Sequence, residues 1–180
     1  FRRWYSQSGT PEVLVTGRYD AARETYTLKM TQVCAATPGQ AIKDAYHIPI
    51  AVGLVGPDGK DMPLQLEGEE KPGGRTRVLS LTERTQSFRF RNVTEKPVPS
   101  LLRGFTAPVT LTANLKERDW VFLMAHDSDP FNRWEAAQRY SSGLLISMVE
   151  AVRTGGRRRR GVAIAEMVSS VLADKKIDPD

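Results

Sequence analysis

The sequence predicts a mainly β chain, an immunoglobulin-like two-sheet β-sandwich, followed by α-helices that begin a truncated helical domain. Three observations carry this. Apolar residues alternate with a period of two from Pro11 to about Ala113, and turn residues separate the runs with no helix between them. Beyond Asn114 the apolar spacing changes to that of helices. About seven short strands in about a hundred residues, without βα alternation, fit two packed sheets and no parallel doubly wound fold.

The elements follow in order. Phe1, Trp4 and Tyr5 stand at i, i+3, i+4 with no cap before them, as in the last turn of an amphipathic helix, and Ser8-Gly9-Thr10-Pro11 ends it. Val13 and Val15 alternate, as do Tyr26, Leu28 and Met30, and then Ile48, Ile50, Val52 and Leu54 against His47, Pro49, Ala51 and Gly53. Gly56-Pro57-Asp58-Gly59 is a turn into a run with Met62, Leu64 and Leu66. Further strands read at 77–82, at 87–92 with Phe88 and Phe90 inward, and at 108–113.

Asn114 is placed to cap a short helix carrying Leu115, Trp120, Phe122, Leu123 and Met124. Asp129 with Pro130 opens a longer one whose stripe runs Trp134, Ala137, Ser141, Leu144, Leu145, Met148 and Val152, stopped by Gly155-Gly156. A second helix reads from about Val162 to Ala173, and Ile177-Asp178-Pro179-Asp180 is another start with no helix after it. Two or three striped helices without a further layer do not bury their apolar faces, so an excised piece of a longer polypeptide is expected. The boundaries are residues 1–5 as a helix tail, 6–114 as the sandwich and 115–180 as the incomplete helical part.

Composition narrows the chemistry. The longest apolar runs, 48–55 and 162–165, fall far short of the roughly 20 residues that span a bilayer. Cys34 is the only cysteine, which rules out an internal disulfide and fits a reducing, cytoplasmic setting. A cysteine at the end of an apolar strand reads as a small core or rim residue before it reads as a nucleophile. The net charge of +5 equals the contribution of Arg153 and Arg157–Arg160, so the basicity is one local feature without interleaved aromatics.

Candidate reactive residues are few. His47 and His126 are the only histidines, so no two-histidine helix motif for zinc exists, and both read as local surface residues. His126, Asp127 and Ser128 are adjacent, which is the wrong geometry for a triad whose members converge from distant positions. Asp127, Ser128 and Asp129 lack the twelve-residue ligand spacing of a calcium loop and read as helix-capping residues. No phosphate-binding glycine motif and no nucleophile elbow occurs; Gly68 to Gly74 reads as a hairpin loop. No catalytic, metal-binding or cofactor-binding residue is assigned.

Three segments then carry a specific likeness: Trp4-Tyr5-Ser6-Gln7-Ser8-Gly9-Thr10-Pro11, the stretch from Pro97 through Leu101-Leu102-Arg103-Gly104-Phe105-Thr106-Ala107-Pro108-Val109, and Leu123 through Asp127-Ser128-Asp129-Pro130-Phe131-Asn132-Arg133-Trp134 to Gln138. With Lys176-Ile177-Asp178-Pro179, their order and spacing resemble bacterial aminopeptidase N, a zinc metallopeptidase family of the thermolysin-like superfamily. The resemblance implies a sandwich and the first helices of the C-terminal helical domain. A catalytic domain with its zinc motif H-E-x-x-H and its substrate motif G-x-M-E-N would lie upstream of Phe1. It implies a non-catalytic inter-domain module here, one zinc in the parent enzyme, peptides as the parent's substrates, and the neighbouring catalytic and helical domains as partners, with no nucleic acid and no membrane. Thr106, where serine is familiar, and Arg157–Arg160 depart from the family pattern. The competing reading is a free-standing immunoglobulin-like interaction module that binds an acidic partner or RNA through Arg157–Arg160.

Overall fold

Alternation turns directly into layers. In β1 (Glu12–Asp20) and β2 (Thr25–Val33), Val13, Val15, Tyr26, Leu28 and Met30 are buried while their neighbours face out, and the two strands pair antiparallel from Glu12↔Val33 to Asp20↔Thr25. The computed structural model describes residues 2–156 together with 165 and 169. Phe1, Arg157–Arg160, the Ile177–Asp180 segment and the helix expected at 162–173 lie outside the described residues, except that Ala165 and Ser169 are helical and exposed.

Beyond α1 (Arg3–Ser6), the strands are β3 (Ile48–Val55), β4 (Gln65–Leu66), β5 (Arg77–Leu81), β6 (Thr85–Arg91), β7 (Val98–Leu101) and β8 (Thr110–Ala113). One sheet has the order β4-β6-β2-β1-β8, the other β5-β3-β7. All pairings of these strands are antiparallel except β1 with β8, where Glu12–Val15 run beside Thr110–Ala113 in the same direction. Between the sheets lie Val13, Leu28, Met30, Ile48, Ile50, Val52, Leu54, Leu79, Leu81 and Phe90, all at most 2% exposed. Each such side chain contributes about 1.5–3 kcal/mol by leaving water.

The chain is thus mostly strand in two sheets, then helix, as its alternation predicts. Differences lie in the details. β3 was expected to expose one face, yet Ala51, Gly53 and Val55 are buried along with Ile50, Val52 and Leu54. A third layer covers that outer face: Val55 joins Leu123, Met124 and Ala136 of the helices in a second apolar cluster. The run Met62–Leu66 yields only the two-residue edge strand β4, while Leu64 exchanges backbone hydrogen bonds with Gly73 and Gly74. Pro63 has no N–H to offer a ladder there.

Asn114 does not cap a helix. It prolongs β8, its N–H donating to the Val15 carbonyl, while its Oδ1 accepts the Gly17 N–H at 3.2 Å. Helix α2 (Glu117–His126) begins later, after Lys116, whose N–H donates to the Asp119 carboxylate at 2.8 Å. Helix α3 (Pro130–Thr154) starts as expected, with Asp129 Oδ1 accepting the Asn132 N–H at 2.9 Å, and stops at Gly155 with φ +70°. Its buried stripe is Asn132, Ala136, Tyr140 and Leu144, rotated from the expected one, so Trp134, Leu145 and Val152 are exposed. Polar Asn132 takes the inner position because the sandwich offers it partners there, a contest that hydrophobicity alone does not predict. In α1, Trp4 packs its ring 4.8 Å from that of Tyr46, while Tyr5 is exposed.

Candidate functional site: two seams around buried cations

The connection between β7 and β8 makes a 3-10 turn, Arg103–Phe105, in which Leu102, Gly104 and Phe105 all have φ between +50° and +62°. Non-glycine residues in that region cost of order 1–3 kcal/mol each, so the turn persists only because its surroundings hold it. What holds it is Arg103, 4% exposed. Its Nε–H donates to Ser100 Oγ at 2.8 Å. One terminal nitrogen donates to Asp61 Oδ2 and Thr76 Oγ1 at 2.9 and 2.8 Å, the other to Asp61 Oδ1 at 2.7 Å and Asp127 Oδ1 at 3.1 Å. All five guanidinium donors are therefore engaged.

These partners come from different parts of the chain. Asp61 follows the Gly56–Gly59 turn, Ser100 lies on β7, and Asp127 links α2 to α3. Asn132 of α3 donates from Nδ2 to Ser100 Oγ at 2.8 Å and to the Leu101 carbonyl at 2.9 Å, and the Ser128 hydroxyl donates to Asp61. Gly53 on β3 gives the guanidinium room: a Cβ there would lie 2.1 Å from Arg103 Cζ. At Gly59, with φ +77°, a Cβ would lie 2.7 Å from His126 Nδ1, so the end of α2 sits against the sandwich turn.

Electrostatically the cluster holds one cation against two carboxylates. Burial pushes Asp61 up, but the Arg103 and Ser128 hydrogen bonds and the Arg103 charge outweigh it and hold Asp61 below the usual carboxylate value. For Asp127 burial wins, and its carboxyl sits above the usual value despite hydrogen bonds and Arg103. Its Oδ2 is buried without a hydrogen-bond partner among the described residues. Burial opposes the charge on Arg103, yet Asp61 and Asp127 raise its affinity for the proton. Desolvation of such a network offsets much of its attraction, so its main effect is geometric: one arrangement satisfies the arginine.

A pH dependence follows. A carboxyl whose folded value is raised stabilises the fold below its ordinary range, about 4, and loses that contribution as pH rises through the raised value; Asp61 acts in the opposite sense, losing its contribution below about 4. Asp127→Asn is therefore expected to flatten the part of the stability profile above about pH 4 that falls as pH rises. Urea midpoints measured in steps from about pH 4 to neutral pH check this; an undiminished pH dependence in the variant excludes Asp127 as its source.

A second buried cation closes the other seam. Lys43 is 5% exposed and its Nζ lies 2.9 Å from the Ser8 carbonyl, 2.6 Å from Thr37 Oγ1 and 2.6 Å from Gln40 Oε1. Gln40 Nε2 donates to the Ser6 carbonyl at 2.8 Å, and Gln7 grips the Asp44 backbone at both its N–H and its carbonyl. With Trp4 Nε1 donating to the His47 carbonyl at 3.0 Å, the loop 37–47 clamps residues 3–8.

The residues weighed from sequence fall as follows. Cys34 is half-buried at the edge of the core, its Sγ 3.7 Å from the Tyr46 hydroxyl. His47 is exposed at the start of β3, and His126 is exposed at the end of α2, its ring 4.8 Å from Phe122. Of the acidic group, Asp129 caps the start of α3 and Asp127 is the C-cap of α2, its N–H donating to the Leu123 carbonyl and its carboxylate accepting from Arg103 and from the Asp129 N–H; Ser128 serves Asp61 instead, a correction of the capping expectation for that residue. Arg103 is a functional position that sequence pattern does not single out, since an arginine is buried only where it is paired and its partners lie far away in the chain. Thr106 has a defined task, its Oγ1 accepting the Ala51 N–H at 3.0 Å beyond the end of β7. Among the described residues no group of three or more His, Cys, Asp or Glu is placed to hold a metal ion.

Comparison with known proteins adds to this geometry. Residues 9–114 match the family described as "Domain of unknown function (DUF3458) Ig-like fold", and residues 117–180 match "Domain of unknown function (DUF3458_C) ARM repeats". Aminopeptidase N of Escherichia coli is 42% identical over 179 residues, covering 99% of this chain and 20% of that protein. Aminopeptidase N of Haemophilus influenzae is 41% identical over 138 residues, covering 77% and 15%. Among solved structures, Legionella pneumophila aminopeptidase A in complex with aspartic acid superposes with a TM-score of 0.75 at 26% identity, over 98% of this chain and 18% of that one. The chain spans a fifth or less of the length of these relatives.

Proposed function

Because the chain belongs to the family of DUF3458 Ig-like domains and is homologous to that region of aminopeptidase N, we propose that it is a non-catalytic inter-domain module. In this reading it holds the catalytic and helical parts of a zinc aminopeptidase in register, in an enzyme that removes N-terminal amino acids from peptides. The observation that carries it is the pair of buried cations. Arg103 fastens the helices to one face of the sandwich and Lys43 fastens residues 3–8 to a loop of it, each through hydrogen bonds with a single satisfied geometry. A module built this way transmits position; it does not bind substrate at these groups, which are buried.

In this reading the zinc is held by the catalytic domain of the parent enzyme. A reducing, cytoplasmic compartment is part of the same proposal, supported by the single cysteine. No helix among the described residues is long and apolar enough to cross a membrane.

The test uses the chain itself. With zinc supplied, the purified 180-residue chain is expected to release no product from amino-acid anilides. Turnover that survives removal of host peptidases, and that follows the chain through chromatography, overturns the proposal.

A further inference from the structure

Where the sandwich meets the helices, the turn carrying Phe105, the strands β7 and β8, and helices α2 and α3 leave a cavity of about 240 Å³. Its walls are apolar, Leu102, Val109, Trp120 and Phe131 among them. For comparison, an apolar cavity of about 150 Å³ in another protein stays dry and takes up benzene, so this one has space for a two-ring molecule.

The polar edge defines what such a guest must carry. Both N–H groups of the Asn132 amide are spent on Ser100 and the Leu101 carbonyl, which leaves its Oδ1 as an acceptor. Glu135 Oε1 accepts from Arg139 Nε at 2.7 Å, which leaves the second carboxylate oxygen with lone pairs to offer. Arg139 donates to the Leu111 carbonyl at 2.8 Å, and its guanidinium carbon lies 5.3 Å from the Trp120 ring centre. The ion pair is internally neutral, so the edge calls for a hydrogen-bond donor without calling for a charge.

We propose that this cavity is a binding site for a neutral bicyclic aromatic molecule bearing a ring N–H, of indole size, with the ring among Leu102, Val109 and Phe131 and the N–H donating to the Glu135 carboxylate. The site stands independently of the peptidase reading, since it rests on volume and donor–acceptor chemistry alone. It also bridges the seam: a bound ring touches the sandwich and both helices, so occupancy favours the docked arrangement.

Indole, titrated into the full 180-residue chain and followed by calorimetry and amide shift changes, is expected to bind at one saturable site. Benzofuran, which replaces the N–H by an oxygen, is expected to bind about tenfold more weakly, the loss associated with one hydrogen bond to a charged acceptor. Val109→Phe fills the space and is expected to abolish both. Glu135→Leu, at a half-exposed position, removes an acceptor without filling the cavity and brings indole down to the benzofuran level. Absence of saturable indole binding to the wild-type chain overturns the site, and so does binding unchanged in a folded Val109→Phe chain. Equal affinity for indole and benzofuran overturns the donor assignment.

Discussion

Arg103→Ala is expected to lower the unfolding free energy by about 3–5 kcal/mol, the cost of leaving a buried charge without its partner. The substitution strands Asp61 and Asp127, whose side chains are 9% and 0% exposed, and removes the donors to Ser100 and Thr76. It also frees a turn whose Leu102 and Phe105 hold positive φ. Against a total of about 5–15 kcal/mol for a domain, that is a large share. The loss should appear in urea unfolding and as faster proteolysis between α2 and α3. Arg103→Lys recovers little, because one ammonium cannot reproduce a five-donor fork. Replacing Arg103, Asp61 and Asp127 together by apolar residues of similar volume recovers most of the stability, since no charge is then stranded. A single Arg103→Ala change costing under 1 kcal/mol would show that the network is idle.

Gly53→Ala is expected to cost about 1–3 kcal/mol, the usual penalty of overpacking a filled site. The added methyl would lie 2.1 to 2.5 Å from three atoms of the Arg103 guanidinium. Neither side can yield: Gly53 is paired with Ser100 in the β3–β7 ladder, and Arg103 is tied at every donor. In an Arg103→Ala chain the obstacle is gone, and alanine at 53 becomes neutral or slightly stabilising, as expected where a glycine's extra backbone freedom is removed from a strand. The double-mutant cycle therefore gives a coupling energy in the range found for contacting residues, about 0.5–3 kcal/mol. Strict additivity would show that Gly53 is small for some other reason.

Much of this molecule is written in short-range pattern. Period-two alternation places β1, β2 and β3, and the Asp129-Pro130 and Gly155 punctuation places both ends of α3. What the pattern misses is set by the third layer. The outer face of β3 carries Ala51 and Gly53, small residues that read as indifferent to exposure until the turn at Arg103 and the helices cover them. The stripe of α3 departs from its apolar periodicity for the same reason, since Asn132 faces inward to satisfy Ser100 and Leu101, and Trp134 is displaced outward. The Arg103 cluster joins residues 61, 76, 100, 103 and 127, separations over which no local periodicity carries information. Lys43 is similar, because a buried ammonium held by neutral oxygens leaves no paired acidic residue in the sequence to announce it.

The parallel pairing of β1 with β8 has a mechanical meaning. The strand that receives the chain from residues 3–8 and the strand that passes it on to α2 lie side by side and run the same way, Glu12 beside Thr110 and Val15 beside Ala113. The incoming segment therefore attaches at one end of the pair and the outgoing segment leaves from the other. Tension between them acts along the strands, so their hydrogen bonds carry load together in shear instead of opening one after another like a zip. A push or pull from one neighbour reaches the other through a strut that is stiff along the direction in which the chain runs.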